Sequence, residues 1–411
     1  MTQAQCRFCK TDLKHTFVDL GMSPLSNSYL KAEQLNKSEN FYPLHTYVCD
    51  RCLLVQLEEF ESPDHIFSDY AYFSSYSDSW LKHCQQYTTL MIDRFGLSQS
   101  SQVMEIASND GYLLQYFQKQ QVPVLGIEPA ANVAKVAIAK GINTIVKFFG
   151  VTTAQELVAQ GQQADLLLGN NVLAHVPDIN DFVAGMQIAL KPDGVITMEF
   201  PHVLQLINQN QFDTIYHEHF SYLSLITVTQ IFAAHGLTIF DVEELPTHGG
   251  SLRIYAKHQG NRDLAISDRL IALQDKEKDA GLDQVSTYLK FSEQVIATKH
   301  KLLNFLIDIK RSGKTIVGYG APAKGNTLLN YCGIRRDFLD YTCDRSPHKQ
   351  GQFLPGTHIP IYAPEQIRAT EPDYVLILPW NLKEEIQEQL AYIREWGGKF
   401  IVPIPEVEVL A

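Results

Sequence analysis

The chain has 411 residues, 45% of them hydrophobic and 19% charged, which suits two or three domains with sizeable cores and excludes a disordered chain or a small disulfide scaffold. Lys+Arg 34 against Asp+Glu 46 gives a net charge of -12, an argument against sequence-independent binding to nucleic acid or an anionic membrane, because both demand a basic surface. The opening residues, MTQAQCRFCK, contain no apolar signal core, and no apolar run reads as a membrane span. The expected location is cytoplasmic, where the seven cysteines read as thiols or metal ligands rather than disulfides.

The N-terminal segment, residues 1–68, reads as an irregular module with short apolar runs between polar clusters. It holds Cys6-Arg7-Phe8-Cys9 and Cys49-Asp50-Arg51-Cys52. Each CxxC pair can place two thiolates on one ion from a tight turn, and two pairs complete a tetrahedral set with no open position for water. Cys6, Cys9, Cys49 and Cys52 are therefore expected to hold a structural zinc, with iron as the weaker alternative. The other cysteines, Cys84, Cys332 and Cys343, have no partners at ligand spacing.

The segment 69–299 reads as an α/β domain with a helical linker. SQVMEIA, VPVLGIE, INTIVKF, ADLLLGN and GVITMEF are buried-strand runs, separated by helix-like GYLLQYFQKQ, ANVAKVAIAK and TTAQELVAQ. That alternation means a parallel sheet with helices on both faces. Val103 to Gly111 is strand, tight turn and helix start; Glu105, Ala107, Asn109 and Gly111 lie where a ligand could approach backbone N–H groups. Glu128 ends the next strand, where a carboxylate can accept from ribose hydroxyls. These features fit NAD and S-adenosylmethionine equally, although Ala107 and Asn109 stand where a dinucleotide turn wants glycine. The run DLLLGNNVLAHVPD and the turn LKPDGV resemble the fourth strand and the following turn of class I S-adenosylmethionine-dependent methyltransferases. That resemblance favours S-adenosylmethionine and puts Asn170 and Asn171 at the cofactor; the plain alternative is an Asn-rich turn.

Ile215-Tyr216-His217-Glu218-His219-Phe220-Ser221-Tyr222 comes next. On a strand, Tyr216 and Glu218 would share one face and the two histidines the other; on a helix, Tyr216 and His219 share a face. The run supports a general base steadied by a carboxylate or phenol. The alternatives are a metal held by the two histidines, for which no third ligand is evident, and a satisfied polar cluster at a domain seam.

Residues 262–310 read as helical from their three- and four-residue apolar spacing. The segment 300–411 then holds a second α/β pattern: strands KTIVGYG, DFLDYTCD and DYVLILP, a helix NLKEEIQEQLAYIREW and a closing strand KFIVPIP. Its GYGAPAKG turn is a weak dinucleotide-like fingerprint, with Lys324 at the helix start facing a phosphate or, plainly, solvent.

Taken in order, the four-cysteine module, SNDGYLL, YHEHFSY, HGGSLR and GYGAPAKGNT resemble the C-3′ methyltransferases of nucleotide-linked 4-keto-6-deoxysugars, over essentially the whole chain. The resemblance implies a zinc module, a class I methyltransferase domain and a degenerate Rossmann-like C-terminal domain. It implies methyl transfer from S-adenosylmethionine to C-3′ of a sugar, with dTDP as the expected carrier, made nucleophilic as an enolate. His219 is then the base, and Tyr216 and Glu218 orient it or stabilise the oxyanion. Tyr72 in the YAYFSSY run would cover the cofactor, Ser75 would reach the sugar, and Arg253 and Lys324 would meet the nucleotide sugar. An NAD-dependent nucleotide-sugar oxidoreductase and a non-catalytic sugar-nucleotide-binding protein are the competing readings.

Overall fold

The structure is a computed structural model that describes residues 4–62, 74–76 and 78–411. Two compact units form from interleaved segments: residues 1–14, 49–203 and 220–284 make the first, and residues 15–48, 204–219 and 285–411 the second.

The first unit is built on a seven-stranded sheet. Its strands run in the order Leu237–Leu245, Ser251–His258, Leu190–Pro201, Ala164–Asn170, Val103–Ile106, Val124–Ile127, Thr144–Ile145. Ser251–His258 is antiparallel to both neighbours, and the pairs from Leu190–Pro201 out to Thr144–Ile145 are parallel. This is the strand order and direction of class I S-adenosylmethionine-dependent methyltransferases, as the resemblance implied. The apolar runs are strands because they are buried on both faces, as in Val103–Ile106 and Val124–Ile127, where every residue is buried. Gly126 is required by a close approach: a Cβ there would lie 2.4 Å from Ser108 Oγ, in the turn after the first parallel strand. Helix Asp78–Phe95 and the Val103 strand share a core of Tyr87, Met91, Leu113, Phe117 and Tyr255.

The second unit pairs His15–Ser23 with Tyr42–Val48 in antiparallel register. These strands correct the expectation of an irregular N-terminal module. Their alternation is hidden in the sequence because register shifts between Thr16 and Val18 and between Asp19 and Met22 break the two-residue period. Phe17 stacks on Phe291 with ring centroids 4.6 Å apart and meets Tyr288 edge-on. That contact docks the strand against helix Phe291–Arg311, whose buried side is Phe291, Val295, Thr298, Leu302, Leu306 and Ile309.

A six-stranded sheet completes this unit in the order Ile361–Tyr362, Thr342–Cys343, Ile316–Tyr319, Tyr374–Ile377, Lys399–Val402, Glu408–Leu410. All its pairs are parallel except the last. The arrangement is the expected Rossmann-like one with three differences. DFLDYTCD supplies only the two-residue strand Thr342–Cys343, Glu408–Leu410 adds an edge after KFIVPIP, and the expected long helix is broken into Trp380–Leu382, Lys383–Gln389 and Ala391–Trp396. Helical periodicity cannot reveal such breaks, since the side chains keep facing the core on either side of them.

Candidate active site

Four sulfur atoms meet in the first unit. Cys6, Cys9, Cys49 and Cys52 bring their Sγ atoms within 4.8 Å of one another, with Cys6–Cys52 and Cys9–Cys49 both at 3.5 Å. Tetrahedral zinc with bonds of about 2.3 Å separates its sulfurs by about 3.8 Å, so the cluster fits the ion. Each pair is shaped by the same turn: Lys10 N donates to Cys6 O and Leu53 N to Cys49 O, with both residues at positive φ. Gln56, buried, donates its side-chain amide to Cys6 Sγ at 3.2 Å and accepts from Arg7 N at 2.8 Å. Hydrogen bonds with Cys49 and then Cys52 hold the Cys6 thiol far below the ordinary range, while hydrogen bonds with Cys49 and then Cys6 push the Cys52 thiol up. Four thiolates so close need a cation to ionise together. Among the described residues this is the only group with metal-ligand spacing; the two histidines at 217 and 219 are not part of one.

In the same unit the turn after strand Val103–Ile106 gathers the residues expected at the cofactor. Ala107, Asn109 and Gly111 all have positive φ, at 57°, 50° and 75°, so the chain doubles back tightly between strand and helix. Glu128 spans that turn: its carboxylate accepts from Asn109 N at 2.9 Å and Ala130 N at 2.8 Å. Burial raises its pKa, and those two N–H bonds oppose the rise. Glu105 is fully buried and raised well above the usual carboxylate range by burial, with Tyr112 opposing.

What marks the region as a ligand site is polar capacity left unused. Among the described residues, Asp110 Oδ1, Asn170 Nδ2 and Asn171 Oδ1 are buried without a hydrogen-bond partner, and Glu105 has only the Tyr112 phenol acting on its carboxyl, whereas buried polar groups are normally paired. Glu105 and Asn170 stand on neighbouring parallel strands, and Asn171 and Asp110 lie in the turns that follow. S-adenosylmethionine, with an amino group, a carboxylate and ribose hydroxyls, offers both donors and acceptors to such a set.

Other expected residues take different positions. Tyr72 lies outside the described residues. Ser75 donates its hydroxyl to Asp110, which Lys140 also meets at 3.2 Å, and Ser74 N donates to Asn109 Oδ1 at 3.0 Å. Ser75 thus joins the turn after Val103–Ile106. Arg253 is buried and committed within this unit, at 3.0 Å to both Glu199 and Glu243 and over the Tyr87 ring. Its guanidinium is paired with two carboxylates. Burial opposes ionisation of Glu199, but His83 and Arg253 outweigh it and hold the carboxyl below its usual range. Asn171 Nδ2 lies 2.9 Å from His248 Nε2, and His248 adopts φ 55°, a strained backbone for a non-glycine residue. His83 carried no spacing signal that sequence reasoning could use, and His248 was visible only as the first residue of the HGGSLR segment.

The second unit holds the Tyr216–His219 segment as a tight turn, with His219 N donating to Tyr216 O at 2.9 Å. The helix-like pairing is the one realised: the Tyr216 and His219 rings lie 4.0 Å apart. His219 Nδ1 is 2.8 Å from Thr214 O and Nε2 is 2.9 Å from Tyr216 Oη. A carbonyl can only accept, so in the neutral ring Nδ1 carries the proton and Nε2 presents its lone pair to the Tyr216 hydroxyl. His217 faces Pro43 O at 3.2 Å and the Tyr42 ring, and burial lowers its pKa. Glu218 does not contact the imidazole. It receives Asn27 Nδ2 at 2.6 Å, and burial, opposed by that bond, pushes its pKa up to about 7.

Lys324, at the start of helix Ala323–Cys332, donates to Asn381 Oδ1 at 2.8 Å and sits 4.6 Å from the Trp380 ring centroid. Burial lowers its pKa and the charge of Asp213 opposes this. Asp213 accepts from Trp380 Nε1 at 2.7 Å, and Thr327 Oγ1 donates to Ile215 O at 3.0 Å. These bonds tie the chain leading into the Tyr216 turn to the C-terminal sheet's helix.

The geometry agrees with the chain's relatives. A C-methyltransferase C-terminal domain matches residues 246–405, a methyltransferase domain residues 80–242 and a zinc binding domain residues 6–67. The chain is 36% identical over 407 residues to the C-methyltransferase NovU of Streptomyces niveus, spanning 99% of this chain and 97% of that protein. A shorter match, 29% over 97 residues, is to the ubiquinone biosynthesis O-methyltransferase of Bartonella tribocorum, covering 23% of this chain and 38% of that protein. Among solved structures, the PH0226 protein of Pyrococcus horikoshii aligns with TM-score 0.38 and 14% identity, covering 48% of this chain and 99% of its own. Magnesium protoporphyrin IX methyltransferase of Synechocystis, with bound SAH, aligns with TM-score 0.34 and 13% identity, covering 43% of this chain and 82% of its own. The chain belongs to the C-methyltransferases: it is an S-adenosylmethionine-dependent enzyme whose Cys6, Cys9, Cys49 and Cys52 form a zinc site.

Proposed function

We propose that the enzyme methylates C-3′ of a nucleotide-linked 4-keto-6-deoxysugar, dTDP being the expected carrier, and that the Tyr216–His219 turn generates the carbon nucleophile. The observation that carries this reading is the imidazole's fixed tautomer. A carbon has no lone pair to offer an electrophilic methyl, so a C-methyltransferase must first remove a proton from it. A ketone at C-4′ acidifies the C-3′ hydrogen enough for an imidazole base.

With Nδ1–H held by the Thr214 carbonyl, Nε2 is the nitrogen that accepts. The C-3′–H bond breaks, its electron pair moves into the enolate, and the proton ends on His219 Nε2. Tyr216, hydrogen-bonded to that nitrogen, orients the ring and carries the proton across. Glu218, whose raised pKa keeps a neutral population near pH 7, donates to the developing oxyanion at O-4′. Lys324 retains donors beyond the one given to Asn381, and we assign it to the pyrophosphate.

In the first unit, Glu105, Asp110, Asn170 and Asn171 would hold the amino-acid part of S-adenosylmethionine, and Glu128 would receive its ribose. Bound there, the cofactor supplies an electrophilic methyl group for the carbon nucleophile. The zinc site, closed by four protein ligands, serves structure rather than chemistry.

Calorimetric titration with S-adenosylhomocysteine and with NAD, followed by mass analysis of 4-keto sugar nucleotides after incubation with S-adenosylmethionine, tests the reading. Micromolar binding of the homocysteine, none of NAD and a gain of one methyl on carbon are expected. Methylation only at oxygen or nitrogen would refute the enolate role of the turn.

A further inference from the structure

We propose that Asn27 is a positioning residue of the catalytic centre, holding the Glu218 carboxyl in place and setting the pH range over which it works. The inference rests on the reading of Glu218 given above, and it recruits a residue from the segment between the two cysteine pairs, which the sequence placed in the zinc module.

The geometry is a short polar chain inside the second unit. Asn27 Nδ2 donates to Glu218 Oε1 at 2.6 Å. Tyr29 Oη donates its proton to Ala321 O at 2.6 Å and lies 3.3 Å from the Asn27 amide oxygen. Lys349 Nζ donates to the same carbonyl at 2.9 Å and stands over the Tyr29 ring. The assignment of the Asn27 amide follows from the carboxylate: ionised, Glu218 can only accept, so the nitrogen faces it.

The loop carrying Asn27 is anchored on both sides. Asn326 Nδ2 donates to Ser26 O at 2.7 Å. Leu30 and Phe353 exchange two backbone hydrogen bonds, at 2.9 and 2.8 Å. An amide held this way gives Glu218 an oriented donor at no further entropic cost when substrate arrives.

Glu218 is 6% exposed, so one hydrogen bond weighs heavily on its ionisation. From other elements, Tyr29 faces it through Asn27, with Lys349 and Asp344 beyond; from its own turn come Tyr216, His217 and His219. The Tyr29 phenol is itself pushed up by burial, with Lys349 opposing and Asp344 and Glu218 adding to the rise. Asn27 is thus the group in direct contact with Glu218 that favours its ionised form, and its removal raises the Glu218 pKa.

The experiment uses the full chain and two readouts. The first is the pH profile of methyl transfer in wild type, Asn27→Ala, Asn27→Gln, Glu218→Gln and the double variant Asn27→Ala/Glu218→Gln. The limb that Glu218→Gln abolishes should move to higher pH by about one to two units in Asn27→Ala, the shift a hydrogen bond to a buried charge is worth. Asn27→Gln should restore part of that shift, and Asn27→Ala should cost nothing further in the Glu218→Gln background. The second readout is infrared titration of the Glu218 carboxyl, from the wild-type minus Glu218→Gln difference, with and without Asn27→Ala; it needs no substrate. An unmoved carboxyl titration in folded Asn27→Ala protein overturns the inference. A moved titration without methylation of any 4-keto sugar nucleotide would instead fault the substrate reading and leave the Asn27–Glu218 coupling standing.

Discussion

The molecule contains two strand–turn–helix units of Rossmann type, one in each compact unit, and they differ in what their turns leave unsatisfied. Around the turn after Val103–Ile106, Asp110 Oδ1 and, from the end of the neighbouring strand, Asn170 Nδ2 and Asn171 Oδ1 are buried without partners among the described residues. After Ile316–Tyr319 the backbone groups of the turn are bonded internally, although Asn326 Oδ1 in the following helix is buried without a partner among the described residues. Ala321 N donates to Asp344 at 2.7 Å, Ala321 O accepts from Tyr29 and Lys349, and Gly320 O accepts from Thr342 at 2.7 Å. Gly320, at φ 90°, has no room for a side chain, because a Cβ would meet Pro379 Cδ at 2.5 Å. A dinucleotide needs N–H groups free to face its pyrophosphate, and Ala321 N is already taken. In both turns an acidic residue from the next strand accepts from a turn N–H; the two differ in how many buried side-chain groups lie unpaired around them.

This contrast predicts that cofactor binding and chemistry come apart on mutation. The largest effect is expected for His219→Asn, which removes the accepting nitrogen from the second unit while leaving the first unit's turn untouched. Turnover should fall by roughly 10³-fold or more, with S-adenosylhomocysteine affinity unchanged within a few fold by calorimetry. Equal losses in both would collapse the distinction.

The zinc site offers a smaller, graded test. Gln56→Leu keeps all four cysteines but removes the hydrogen bond to Cys6 Sγ. Competition against a chromogenic chelator should show zinc held on the order of 10-fold more weakly. An unchanged affinity would mean that the sulfurs alone set the strength.

The mildest effect concerns stability. Burial pushes Asp213 up to about 6 and Glu218 to about 7, above their unfolded values of about 4. Between those limits the folded chain binds more protons than the unfolded one, so stability falls as pH rises from about 4 to about 7 and then levels off, by up to ~1.4 kcal/mol per unit for each group. Asp213→Asn should flatten the dependence of Tm on pH in that window. A slope identical to wild type would show that Asp213 titrates normally.

Much of this was legible in the residues. The cysteine pairs announced a metal because CxxC spacing is local and the ligand chemistry is narrow. The parallel sheet was legible because doubly buried strands are continuous apolar runs. The Tyr216–His219 pairing was one of two geometries the spacing allowed, and a turn, which resembles neither a strand nor a full helix, chose between them. The strands His15–Ser23 and Tyr42–Val48 were not legible, since bulges erase alternation. Glu218 as a partner of His219 was a reasonable expectation from adjacency, yet adjacent side chains in a turn point apart, and Glu218 met Asn27 instead.

By itself the sequence determined which chemistries were available: four thiols, a base beside a phenol, and two strand–turn–helix units. It did so because ligand type, spacing and apolar runs are local properties of a chain. Only the tertiary structure decided which polar groups were spent and which were kept. Arg253 was claimed by Glu199 and Glu243, the C-terminal turn was closed by Tyr29 and Lys349, and Asn27 was delivered to Glu218. Hydrogen bonds between residues far apart in the chain follow from packing and long-range register, and no local pattern encodes them.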